Sequence, residues 1–258
     1  MVKDNPSQSL GSAEETPTSS RDQFQVRHRF VGLLFALAMT EVARQGVRLW
    51  EPVAVWSWAA PTHLFLCAML IATSWVGWSN SIQLKQRLCE VFDLQFLELL
   101  LDILLVFIYF VIVARVEITT GTSAVEVPSA TPEAWGLVVV FVVYALWDVC
   151  TDVVRSRQKF VQALGVHAFA SVLCFLLSYL CLWRCKEVMS VFAVVAVDVS
   201  LIAIVFVFRA LKRLERPIAR KLGWPDNETA NLRFPRDRDR GALVICLIAF
   251  AVGLIAAK

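Results

Sequence analysis

The sequence predicts an all-α, polytopic integral membrane helix bundle, and three observations predict it. Hydrophobic residues fill 58% of the 258 positions and charged residues 18%, with a mean hydropathy of +0.63. That is more apolar than a soluble chain of this length sustains. The apolar residues gather in about seven runs, each near the length that spans a bilayer core. Basic residues concentrate in alternate connections, the asymmetry that orients membrane helices.

Taken in order, residues 1–25 form a tail rich in Ser, Thr, Glu and Pro, predicted to be disordered and cytoplasmic. It carries no lipidation signal, and the apolar run behind it is too long for a cleaved signal peptide. Residues 26–209 hold six spans: Phe30–Trp50, Thr62–Ser79, Phe96–Val116, Ala134–Val154, Phe160–Trp183 and Val188–Arg209. In the basic cytoplasmic segment 210–240, Leu211, Leu214, Ile218 and Leu222 recur at helical spacing among basic residues. This pattern predicts an amphipathic helix that continues the sixth span along the headgroups, kinked at Pro217. Residues 241–258 supply the seventh and shortest span, Ala242–Ala257.

Arg21, Arg27, Arg29, Lys85, Arg87, Arg155, Arg157, Lys159 and the basic residues from Arg209 to Arg240 fall on one side of this alternation. The connection Glu51–Pro61 has no basic residue, and Glu117–Glu133 has only acids. The expected localisation is therefore multi-pass in a cell membrane, plasma or bacterial inner, with the N-terminus cytoplasmic. Trp50, Trp56, Trp58, Trp135 and Trp183 sit at outer span ends, and Trp75, Trp78 and Trp147 toward inner ends, as paired aromatic belts do. On this reading the run Ser74-Trp-Val-Gly-Trp-Ser79 is chiefly an interfacial anchor.

The net charge of +3 reflects the loop asymmetry and does not point to nucleic acid. The expected partners are the lipid bilayer and anionic lipids at Lys212, Arg213, Arg216, Arg220 and Lys221, each worth about 1 kcal/mol near a charged surface. A homo-oligomer is a further candidate, because Gly241, Ala249 and Gly253 let another helix approach closely. Seven cysteines without paired Cys-x-x-Cys spacing form no zinc pattern, and cofactor and metal stay unassigned.

Chemistry concentrates in acids at lipid depth, which usually face a bundle interior, a cavity or a partner. Glu98 and Asp102 are four apart in the third span, and Asp148 and Asp152 mirror them in the fourth. His167 joins them at the same level in the fifth. Glu98 lies near a helix N-terminus, where negative charge is favoured, and Arg155 can relieve Asp152. Asp102, Asp148 and His167 lack so simple an explanation and are candidates for an ion or proton pathway. Asp198, in the middle of the sixth span, is the candidate central site. Glu41 and Arg44 in the first span form a supporting cluster, with Arg44 able to pair with Glu41 or with Asp198.

Three function classes compete, with conduction of cations or protons the leading one and a noncatalytic component its alternative. Aligned acids suit a protein that conducts cations or protons through an acidic inner-leaflet vestibule. The same charges also suit a noncatalytic anchor, sensor or assembly component. Paired Glu-x-x-x-Asp and Asp-x-x-x-Asp motifs would suit Mg²⁺-dependent lipid-phosphate chemistry, although spacing alone supports that enzyme.

Overall fold

The computed structural model describes residues 18–50, 54–55, 58–82, 94–115, 119–120, 129–150, 160–185, 190–221 and 236–257. Among these the chain forms helices α1 (Thr18–Arg48), α2 (Ala59–Ile82), α3 (Leu94–Ala114), α4 (Thr131–Asp148), α5 (Phe160–His167), α6 (Phe169–Cys185), α7 (Val191–Lys221) and α8 (Arg236–Ala256). Two short strands, β1 (Ala54–Val55) and β2 (Thr119–Thr120), pair antiparallel with Ala54 opposite Thr120. They tie the α1–α2 connection to the α3–α4 connection.

Local chemistry sets the helix starts. Pro132 stands in the first turn of α4, where its missing N–H costs nothing and its fixed φ suits a helix. Ser190 precedes α7, and its Oγ accepts the Ala193 backbone N–H at 3.2 Å, satisfying one of the orphan donors of a helix end.

Among the described residues, five segments are long and apolar enough to cross a membrane: Arg29–Arg48, Ala59–Ser79, Phe96–Ala114, Thr131–Asp148 and Val191–Glu215. They are compatible with a multi-pass integral membrane protein. The count differs from the seven spans expected. The predicted fifth span is divided at Ala168 into α5 and α6, leaving an apolar helix Phe169–Cys185, and the last apolar stretch runs only from Gly241 to Ala256. The division has a visible cause. Lys212 Nζ donates to the His167 carbonyl at 2.8 Å, and a side chain inserted into a helix's hydrogen-bond ladder bends it.

Six helices close into a ring through the contacts α1–α2, α2–α7, α7–α6, α6–α4, α4–α3 and α3–α1. Smaller contacts between α2 and α3 and between α4 and α7 cross its interior, α5 lies against α6 and α7, and α8 packs chiefly on α7. The helices α2, α4 and α7 run in the same direction. Their N-terminal halves meet at one end of the bundle, the His63 end, and Lys212 marks the other. The helix α7 continues unbroken past Pro217 to Lys221.

Two tryptophans do more than an anchor would. Trp78 is buried, and it stacks on Trp75 with ring centroids 5.3 Å apart. Phe35 of α1 packs edge-on against Trp75 at 5.5 Å. Within the run from Ser74 to Ser79, Ser74 and Trp78 are buried, Trp75 is half-buried and Val76 is exposed, so the two indoles pack between helices as well as lying near a span end. Trp50, Trp58, Trp135 and Trp183 are exposed.

Candidate functional site

The polar side chains inside the ring form three layers. Eleven residues separate His63 from Ser74 on α2, Glu133 from Tyr144 on α4, and Asp198 from Arg209 on α7. Eleven residues make about three helical turns and about 16 Å of rise, so each pair shares one helix face. Three parallel helices with the same spacing set their polar groups at matching depths.

The first layer is an imidazole between two carboxylates. His63 Nδ1 lies 3.3 Å from Glu133 Oε1, and Nε2 lies 3.2 Å from Asp198 Oδ2. Thr62 Oγ1 donates to the same Asp198 oxygen at 2.6 Å. Side-chain exposures of 2% for His63, 1% for Glu133 and 0% for Asp198 place the whole layer out of solvent and lipid. Charges so enclosed are stable only when paired. The two ring nitrogens face opposite carboxylates, so these groups do not converge on a common metal position. More widely, no set of three His, Cys, Asp or Glu side chains converges in that way among the described residues.

The second layer is a triangle of hydroxyls. Tyr109 OH of α3 donates to Ser74 Oγ at 2.7 Å and lies 3.0 Å from Tyr144 OH. Ser74 Oγ also bonds Tyr144 OH. A hydroxyl can donate once and also accept, so the three groups can satisfy one another around the triangle. Arg209 stacks beside it, over the rings of Tyr144 and Phe208.

The third layer centres on Lys212. Its ammonium donates to Asp148 Oδ1 at 2.6 Å, to the His167 carbonyl at 2.8 Å, and reaches Glu215 Oε2 at 3.0 Å. An ammonium has three protons, and these three acceptors use them all. Ser171 Oγ of α6 donates to Asp148 Oδ2 at 2.5 Å, and His167 Nδ1 pairs with Glu215 Oε1. Four helices meet in this network.

Measured against the sequence reading, the candidates are regrouped. Asp148 and His167 do share a network, but through Lys212 and Glu215, which the sequence assigned to the headgroup surface. Asp102 turns to α2, where Trp78 Nε1 donates to its Oδ2 at 3.1 Å. Glu98 is buried on α3. Asp152, with Lys85, Arg87, Arg155, Arg157 and Lys159, lies outside the described residues. Asp198 is held by His63 and Thr62 and does not pair with Arg44. Arg44 instead makes a bidentate pair with Glu41, Nε to Oε2 at 2.8 Å and Nη2 to Oε1 at 2.7 Å. Gln45 adds a bond to Glu41 at 3.0 Å. The side chains of Arg216, Arg220 and Lys221 are outside the described set.

His63, Glu133, Tyr109, Tyr144 and Glu215 were not singled out by sequence, and Ser74 only as part of an anchoring run. The repeated spacing of eleven was available as a signal, but it acquires meaning only once α2, α4 and α7 are known to be parallel neighbours.

Compared with protein-family models, with curated proteins and with solved structures, the chain matches none.

Proposed function

We propose that this chain is a noncatalytic multi-pass membrane component whose three polar layers clasp its helices into one packed arrangement, with the Lys212 end toward the cytoplasm. The observation that carries this reading is the closure of Lys212 on Asp148, Glu215 and the His167 carbonyl. A permeation vestibule needs open carboxylates there, and the chain's own lysine occupies Asp148. Packing between the layers agrees. Leu66, Ile71, Leu137, Phe141, Leu201 and Ile204, all buried, fill the stretch between His63 and Tyr144. The crevice bordered by Thr73, Ser74, Tyr144 and Arg209 is too narrow to seat a water molecule.

One observation favours a second reading, conduction of protons or cations past Asp102, Asp148, His167 and Asp198. Ionisable and hydroxyl groups recur at matched depths on three parallel helices, as a relay would require. Proteoliposome flux separates the two. Purified protein is expected to pass no protons, Na⁺ or K⁺ above the level of empty vesicles, while Asp148→Asn lowers its unfolding temperature. Measured flux that Asp148→Asn or Asp198→Asn abolishes in a folded protein would overturn the clasp in favour of conduction.

A further inference from the structure

Arg209 stands on α7 one turn before Lys212, yet its situation is the opposite. Lys212 has three acceptors. Arg209 has no carboxylate partner among the described residues, and its Nε is buried without a hydrogen-bond partner. Its guanidinium lies 6.0 Å from the Tyr144 ring centroid and 5.3 Å from that of Phe208. Ring faces attract a cation but leave its N–H donors unused.

The seat is built for this group. The guanidinium rests on Gly77 of α2, where a Cβ would stand 3.0 Å from Cζ and 3.2 Å from Nη2. Any side chain at position 77 would displace the fork. Around it, Thr73, Ser74 and Tyr144 border the same crevice, their hydroxyls already bonded to the Leu70 carbonyl and within the triangle. A fixed fork with spare donors matches a tetrahedral oxyanion, which guanidinium binds in bidentate fashion. The crevice is too narrow for water, so such an anion would meet the fork at the mouth of the crevice. Arg209 lies six residues from Glu215, where the apolar span ends, or about 9 Å of helix rise. Its guanidinium, however, reaches toward that end and rests on Gly77, two residues before Ser79, where the apolar span of α2 ends, or about 3 Å of rise, which brings the fork to the border of the headgroup layer.

We propose that Arg209, seated on Gly77 between α2, α4 and α7, anchors a phosphate-binding site that takes the phosphate group of an anionic lipid or of a soluble phosphate ligand. The site goes beyond the clasp reading, because it concerns the donors that the clasp leaves unused. It also moves the expected anionic-lipid contact from Lys212, which is spent inside the bundle, to Arg209.

The test compares unfolding temperatures of the full chain in nanodiscs of phosphatidylglycerol and of phosphatidylcholine. Phosphatidylglycerol is expected to stabilise the protein, and Arg209→Gln to remove most of that difference. Arg216→Gln, with the same loss of charge, should remove little. Gly77→Ala and Arg209→Lys keep the charge but lose the seated fork, and both should behave like Arg209→Gln. In neutral detergent, inorganic phosphate is compared with chloride at equal ionic strength. Stabilisation by phosphate that depends on Arg209 supports a soluble ligand; a lipid response without it supports the headgroup. Equal losses from Arg209→Gln and Arg216→Gln, or no response to either lipid or phosphate, would overturn the site. Ion flux has no bearing on this outcome, so the site and the clasp fail independently.

Discussion

A lysine ammonium inside a helix bundle is stable only when each of its protons finds an acceptor, and Lys212 finds three on three different elements. The consequence is an asymmetry between its two possible losses. Lys212→Met leaves Asp148 and Glu215 enclosed without their cation, and breaking a buried pair from one side costs about 3–5 kcal/mol. Asp148→Asn keeps a polar group for Ser171 and for the ammonium and should cost less than half of that. Reversible denaturation of the two variants measures the difference. Equal stability of Lys212→Met and the natural protein would show that the network contributes nothing. The Glu41–Arg44 pair lies on the outer side of α1 but within the apolar segment Arg29–Arg48, so Arg44→Ala, which leaves Glu41 with Gln45 as its remaining bonded neighbour, should cost more than the loss of a water-exposed pair.

At the scale of elements, α8 is the helix whose attachment rests on the smallest feature. Gly253 faces α7 so closely that a Cβ would stand 2.7 Å from the Ala196 carbonyl oxygen, a backbone atom that cannot move aside. Ser200 Oγ of α7 donates to the Ala196 carbonyl at 3.0 Å and approaches the Phe250 carbonyl at 3.3 Å, which extends the same close contact. Small residues permit such approach between membrane helices, where packing and not hydrophobicity drives association. Gly253→Val should therefore detach α8 and raise the labelling rate of Cys246 by a membrane-permeant maleimide several-fold. Gly241→Val meets open space and should leave that rate unchanged. Equal labelling in both variants would mean that α8 is held elsewhere. The last span's small residues thus serve this chain's own α7 at Gly253, before any second copy is considered.

For the whole molecule, the His63 layer joins the N-terminal halves of three helices that are far apart in sequence. His63 is on α2, Glu133 on α4 and Asp198 on α7, while the β1–β2 pairing ties two connections together. Replacing the imidazole removes the contact between the two acids and so acts on the ring as a whole. His63→Leu is expected to cost about 3 kcal/mol or more, the scale for breaking a buried charged contact from one side. Adding Asp198→Leu should recover part of the loss, because it removes the carboxylate left exposed to an apolar interior. Denaturation of the single and double variants checks this, and a double variant weaker than the sum of its parts would sink the idea.

The sequence by itself determined the helical class, the apolar segments and the presence of acids that need partners, because length, hydropathy and the cost of a charge in hydrocarbon are local quantities. Residues such as Asp148, His167 and Asp198 could be recognised as requiring an explanation for the same reason. Their partners could not. Lys212 lies 64 positions from Asp148, and Thr62 lies 136 positions from Asp198. Which base closes on which acid depends on the order of helices around the ring. That order also decided that Trp75 and Trp78 pack between helices, that Lys212 turns inward and bends the chain at Ala168, and that Arg209 is left with donors to spare. Hydrophobic pattern specifies how deep a residue lies, but neighbours across a bundle are selected by side-chain packing and charge pairing that only the assembled helices create.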